Sequence, residues 1–381
     1  MNKVAVAEIP EDEMKDIGVQ LVGSWFVATM QAFVDAAGSE EVLNSLRPYM
    51  RFHGNVGGLN MRNELGLTGS DATTIALAMQ YGNMCARRLN VKSFKASSER
   101  AMGDILSCAF ENAPQEVCEA TCYLAGKGFC EGISAEHDFD LPYALGRGDP
   151  FCRYVIRKKS DSYSPEFEND KNMRTLPIPT IPQERIDFWG TAATGEWWTL
   201  TTNAFVDFAG LERAMEIIGP YMKQNGISFG LKYARELNVK ARDATAIDSI
   251  LTFMNSCLGQ NGNVSQVSDE RVEKEIYECP FSGAPAELCR QLEAFTNGMC
   301  EAINPDYELI HVRAMCRGDS SCIRLIRKKG TEEPVKKEVP EPRKESSRFP
   351  DNDLVRVLKM RLAKGEITEA EYDRLREKLS G

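Results

Sequence analysis

Apolar residues recur at helical spacing from Trp25 to Ala37, and Gly38 stands where such a helix would stop. Asp71 to Leu89 has the same periodicity, with Asp71 placed to cap its first turn. A third helix is predicted from Cys118 to Gly132, entered through the turn-forming pair Ala113-Pro114. Beyond it the pattern changes. Asp140 to Leu145 leads into the turn sequence Gly146-Arg147-Gly148-Asp149-Pro150, and Cys152 to Ile156 follows as an apolar, β-branched run. Helices followed by an antiparallel hairpin predict an α+β domain.

The whole pattern occurs twice. With the chain shifted on itself by 172 residues, Ile9-Pro10 falls on Ile181-Pro182 and Trp25 on Trp197. Ala32-Phe33-Val34-Asp35 falls on Ala204-Phe205-Val206-Asp207, and Pro48-Tyr49-Met50 on Pro220-Tyr221-Met222. After two one-residue deletions, Cys152 falls on Cys322. Such self-similarity is an internal duplication. The first repeat is read as residues 9–159 and the second as 181–329, with a polar, proline-bearing linker at 160–180. Residues 330–350 have mixed charge and almost no apolar positions, which predicts a solvated, extended tether.

Periodicity returns at 351–380. Leu354, Val357, Leu358 and Leu362 share a helical face, Gly365 ends it, and Thr368 with Glu371 forms a capping box for a second helix. So small a hairpin gains stability by self-association or docking. Its run Gly365-Glu366-Ile367-Thr368-Glu369-Ala370-Glu371-Tyr372 closely resembles the signature of the SHOCT short C-terminal domain. That resemblance implies oligomerisation or contact with a protein partner.

The chain of 381 residues is too long for one ordinary core. With 43% hydrophobic and 27% charged residues it has a globular balance, and its net charge is −10. An acidic chain repels phosphate backbones, which argues against nucleic acid as a partner. The basic runs Arg157-Lys158-Lys159 and Arg327-Lys328-Lys329 each close an expected strand. The N-terminal residues have no signal-peptide core, and no stretch reads as the ~18 apolar residues of a membrane span. The expectation is a cytoplasmic protein with no membrane partner.

In a reducing compartment, twelve cysteines favour metal or redox chemistry over a disulfide framework. Five positions are matched between repeats: Cys85/Cys257, Cys108/Cys279, Cys118/Cys289, Cys130/Cys300 and Cys152/Cys322. Cys122 faces Glu293 and Cys316 faces Gly146, so these two are unmatched. Four thiolates surround zinc tetrahedrally or hold an iron–sulfur cluster. The expected metal sets are Cys108, Cys118, Cys130 and Cys152, mirrored by Cys279, Cys289, Cys300 and Cys322. None of His53, His137 and His311 is matched, which excludes a duplicated histidine-based site. Glu131 and Glu301 follow matched cysteines and are the candidate general bases of a metal-assisted hydrolase. Trp25, Phe33, Trp197 and Phe205 are the aromatic candidates for lining a small-ligand pocket. Arg147/Arg317 and Asp149/Asp319 read as turn chemistry.

The second part of each repeat resembles V4R (4-vinyl-reductase-type) domains and the related L-2-amino-thiazoline-4-carboxylic acid hydrolase-like proteins. The resemblance rests on Cys279-Pro280, Pro285-Ala286-Glu287-Leu288-Cys289, Cys300-Glu301-Ala302-Ile303-Asn304-Pro305 and Arg317-Gly318-Asp319-Ser320-Ser321-Cys322, with their first-repeat counterparts. It covers about 50 residues of each repeat and implies α+β small-molecule-binding modules. Some such modules hold zinc through a helix cysteine and a cysteine of the final hairpin, which maps onto Cys118/Cys152 and Cys289/Cys322. The expected protein is thus a pair of V4R-like domains that bind thiolate-held zinc and a small-molecule ligand, with an oligomerising or partner-binding tail. A metal-assisted hydrolase of a small cyclic amide or thioimidate and an iron–sulfur redox protein are its rivals.

Overall fold

The computed structural model describes residues 9–85, 91–106, 108, 113–177, 180–281 and 286–331. The helical hairpin expected at 351–380 and nearly all of its tether lie outside the described residues. Helices α1 (Glu11–Ala37) and α2 (Ser39–Glu64) are joined through Gly38, whose φ of 81° makes a one-residue turn. Helix α3 (Ala72–Cys85), strands β1 (Val91–Ala96) and β2 (Arg100–Ile105), and a long helical stretch follow. That stretch runs from α4 (Gln115–Cys118) through a π-helical turn (Glu119–Leu124) into α5 (Ala125–Ile133). Strands β3 (His137–Tyr143), β4 (Cys152–Lys158) and β5 (Arg174–Thr175) complete the series.

The same order then returns as α6 (Gln183–Ala209), α7 (Leu211–Glu236), α8 (Ala244–Cys257), β6 (Asn261–Val267), β7 (Arg271–Glu278), α9 (Ala286–Ile303), β8 (Tyr307–Arg313) and β9 (Cys322–Lys328). The two antiparallel sheets have orders β3-β4-β2-β1-β5 and β6-β7-β9-β8, with the final hairpin and the middle hairpin joined through β4–β2 and β9–β7. The chain is therefore of the α+β class. The two repeats differ in the cysteine-bearing helix. Twelve residues separate Cys118 from Cys130, and eleven separate Cys289 from Cys300. The first repeat absorbs its extra residue as the π turn, whereas α9 is a regular α-helix throughout.

The chain divides into two compact units. One holds the described residues of 37–190; the other holds those up to Ala36 together with those from Thr191 onward. Helix α1 thus packs in the unit built mainly from the second repeat. Within that unit Phe33 stacks on Phe205 with ring centroids 4.3 Å apart, and Trp25 meets Trp198, Phe281 and Phe295. Thr29, Trp198, Gln291 and Thr202 form a buried hydrogen-bonded chain. The indole N–H of Trp198 donates to Gln291 Oε1 at 2.8 Å, and Gln291 Nε2 donates to Thr202 at 2.9 Å. Contrary to the sequence expectation, α1 carries an 18-residue window of mean hydropathy 1.4, enough by length and composition to cross a bilayer. It is instead a core helix, with 61% of that window buried inside the protein.

Each cysteine-bearing helix packs on the second helix of its repeat at backbone distance. In the first repeat Gly54, Gly58, Gly128 and Gly132 leave no room for a Cβ between α2 and α5: a methyl on Gly128 would run into the Arg51 carbonyl oxygen. In the second, Gly298 meets the Lys223 carbonyl oxygen and Gly226 that of Phe295. This close approach fixes the height and rotation of the helix that presents Cys118 or Cys289.

Candidate functional site

In the first repeat four thiols gather where the cysteine-bearing helix, the segment after β2 and the final hairpin meet. Cys118 is raised to about 12 by its burial, and then by Cys122, Cys108 and Cys152 around it. The backbone supplies donors to this group: Leu145 N–H reaches Cys152 Sγ at 3.2 Å, and Gly146 N–H bonds Cys118. Cys122 lies within the π turn.

The second repeat builds a matching group from a different set. Met315 N–H donates to Cys322 Sγ at 3.2 Å, as Leu145 does to Cys152. Cys279 accepts from Phe281 N–H and from Gln260 Nε2 at 3.3 Å, and stands close enough to Cys322 for each to feel the other's charge. Cys316 packs with Cys322, Ile276 and Ala314, and is joined to Cys289 by a disulfide. The sequence reading expected thiols rather than a disulfide, and left Cys316 unmatched. Cys316 occupies the place of Gly146, where a side chain would press on Cys118, so it is bound to meet Cys289. Reduction is required before Cys289 can act as a thiolate. Among the described residues no three His, Cys, Asp or Glu side chains stand in ligating geometry.

The structure brings together Cys108, Cys118 and Cys152, and likewise Cys279, Cys289 and Cys322, but it places Cys130 and Cys300 elsewhere. A dozen helical residues rise about 18 Å, so neither can share a metal with Cys118 or Cys289. Both are fully buried, Cys130 near Asp138, Glu131 and Lys127, and Cys300 near Lys329 and Glu308; burial raises both thiols, that of Cys300 to about 12. Glu131 pairs with Arg51, and Glu301 with Lys223 at 2.6 Å, the same helix-to-helix ion pair in both repeats. Trp25, Phe33 and Phe205 are fully buried in the packing around α1, and Trp197 nearly so. None of the four lines the surface cleft formed by the end of α7, the Asn238–Arg242 segment and the end of α9.

The turn residues close the final hairpins. Asp149 and Asp319 accept from Ala144 and Ala314 N–H, each at 2.7 Å, and Gly148 and Gly318 take positive φ. Asp71 and Asp243 cap α3 and α8. His137 is buried and hydrogen-bonded to Ser134 at 2.8 Å.

A second group lies on the helix-facing side of the β8–β9–β7 sheet, and the sequence reading missed it. The first repeat lines this side with Ala101, Gly103 and Ile105 on β2, Cys152, Tyr154 and Ile156 on β4, and Phe139 and Leu141 on β3. In the second repeat the middle row becomes Lys274, Arg324 and His311, partnered across three strands. Above it α8 places Asp248, Thr252 and Asn255 where α3 has Ala76, Gln80 and Asn83. Lys274 Nζ donates to Thr252 at 2.6 Å and stands 3.8 Å from Asp248. Arg324, 6% exposed, donates to Asn255 Oδ1 at 2.9 Å and to Gln260 Oε1 at 3.4 Å. Burial, then Arg324 and Arg317, lower His311 to about 3, so its ring is neutral. Comparison of the two repeats at equal positions was the signal that could have exposed this row.

Residues 353–379 match the family of the SHOCT short C-terminal domain. No curated protein and no solved structure matches the chain.

Proposed function

We propose that the protein is a cytoplasmic, ligand-binding protein of two V4R-like repeats, each holding a zinc ion through thiolates, with a tail that self-associates or docks a partner. The observation that carries the reading is the gathering of four cysteines in each repeat, with backbone N–H groups aimed at their sulfurs. Such donors orient a thiolate and spread its charge, as the surroundings of metal-ligating residues do. The ligands would be Cys108, Cys118, Cys122 and Cys152 in the first repeat, and Cys279, Cys289, Cys316 and Cys322 in the second once the Cys289–Cys316 bond is reduced. A bound cation would replace the thiol protons, which burial otherwise retains on Cys118. Zinc suits an all-sulfur set, and it would tie helix, loop and hairpin together. The ion-paired positions of Glu131 and Glu301 favour binding over hydrolysis. The match at 353–379 supports the role given to the tail.

Elemental analysis and an absorbance spectrum of protein purified anaerobically with reductant test this. About two zinc ions per chain are expected. Cys122→Ser and Cys316→Ser should each remove one, while Cys130→Ser and Cys300→Ser leave the content unchanged. Iron with sulfide and a visible chromophore would move the reading to a cluster protein, and protein free of both metals would end it.

A further inference from the structure

The two sheets are built alike except at one edge. In the first repeat the linker that follows β4 turns back, and β5 pairs antiparallel with β1. Ala96 stands opposite Arg174 and Lys95 opposite Thr175, and Leu176 N–H donates to the Phe94 carbonyl oxygen at 3.1 Å. Leu176 and Ile181 belong to the same packed core as Phe94 and Ala96, which are each 1% exposed. In the second repeat β6 takes the place of β1 and ends the sheet. Among the described residues no strand pairs with its free edge. Val264, opposite Lys274, and Val267, opposite Val272, stand where the first repeat has Phe94 and Ala96, opposite Gly103 and Ala101. They are 42% and 46% exposed. Such an edge presents unpaired backbone donors and acceptors beside apolar side chains, and is a template for one more strand.

We propose that the free edge of β6 is a docking site for residues 337–339 of this chain's own tether, which add to the second sheet as β5 adds to the first. The linker that supplies β5 reads Arg174-Thr175-Leu176-Pro177-Ile178-Pro179, and the tether reads Lys337-Glu338-Val339-Pro340-Glu341-Pro342. Each run is a base, a polar residue, an aliphatic residue, then two prolines one residue apart, and each follows the last strand of its repeat. Val339 takes the part of Leu176: its N–H bonds the β6 backbone and its side chain covers Val264. The prolines stop the strand, and an outermost strand tolerates them because no further neighbour needs their N–H. The path is long enough. The nine residues from Lys328 to Lys337 span up to about 30 Å, whereas the place beside β6 lies three strand spacings, about 14 Å, from β9. Charge agrees as well, since the strand enters at the turn between β6 and β7, where Asp269 and Glu270 meet Lys336 and Lys337. The inference goes beyond the function proposed above and rests on none of its thiolate centres.

The test is amide hydrogen exchange of the full-length protein, read by mass spectrometry on peptides covering 261–267 and 336–340. The backbone of 336–339 should exchange at least about tenfold more slowly than an unstructured chain of the same sequence. Val339→Pro removes the N–H that bonds β6. It should return 336–338 to the unstructured rate and speed exchange across 261–267. Val335→Pro, which lies ahead of the strand, should change neither. Exchange of 336–339 at the unstructured rate in the unaltered chain would overturn the proposal. So would protection that survives Val339→Pro, or an equal loss in Val335→Pro. Protection of 261–267 that disappears on dilution would also overturn it, by assigning the edge to a second copy of the chain.

Discussion

At Gly128 and Gly298 a hydrogen atom faces the carbonyl oxygen of Arg51 or Lys223, and no rotamer of any larger residue could avoid that oxygen. Gly128→Ala or Gly298→Ala must push the cysteine-bearing helix off its neighbour. Overpacking of this kind costs about 1–3 kcal/mol or more, and urea denaturation should show it as a lower midpoint. The change should also loosen the thiol group, because the same helix carries it. His311 makes a different prediction. Its folded value near 3 lies below the 6.5 of an exposed imidazole, so the unfolded chain binds a proton that the folded chain refuses. Stability from this residue is therefore full above pH 6.5 and is lost as pH falls through the window from 6.5 towards 3. The groups around it are Arg324 and Arg317, with Glu293 at 4.0 Å. His311→Leu should remove about 2 kcal/mol of the stability lost between pH 7 and pH 5, read from denaturation curves at the two values.

The π turn at Glu119–Leu124 shows how one inserted residue is absorbed within a helix: the register beyond it is kept, and Cys122, within the turn, stands close to Cys118. Deleting Ala120 gives this helix the length of α9. Such a variant should keep its far-ultraviolet dichroism and lose one of two bound zinc ions, measured by elemental analysis. The cysteine-bearing helix and final hairpin were legible in the sequence because Cys118–Gly132 and Cys152–Ile156 have plain periodicity and lie about a glycine-rich turn. Helix α2 was not, since its glycines at 54, 57 and 58 read as breakers until their close packing on α5 is seen. The strands β1, β2 and β7 escaped notice because they are rich in charge, with Lys274 at an inward position where an apolar residue is expected, and β6 because it is polar along most of its length. The proposed ligand set was legible in part. Matched cysteines marked Cys108, Cys118, Cys152, Cys279, Cys289 and Cys322, but matching also drew in Cys130 and Cys300, which the rise of the helix sets apart from Cys118 and Cys289. It passed over Cys122 and Cys316, whose roles lie in geometry that differs between the repeats.

On the scale of the molecule, the compact units do not follow the order of the repeats, since α1 contributes Trp25, Phe26, Met30 and Phe33 to the core of the unit that contains α7, α8 and α9. A chain lacking residues 1–36 should therefore lose amide-exchange protection across 191–331 and keep it across 37–190, although the residues removed adjoin the latter in sequence. Loss confined to 37–190 would show that the helix serves its own repeat. The arrangement also has a consequence for synthesis on the ribosome. Thr29 precedes its partner Gln291 by 262 residues, and translation at about 5–20 residues per second separates their emergence by roughly 13–50 s. For that interval the 18-residue apolar window of this segment lacks the partners near Gln291 that cover it in the folded chain. By hydropathy it is the kind of segment that membrane-targeting factors also recognise. The core of this unit cannot close around α1 until Gln291 and Phe295 have been made.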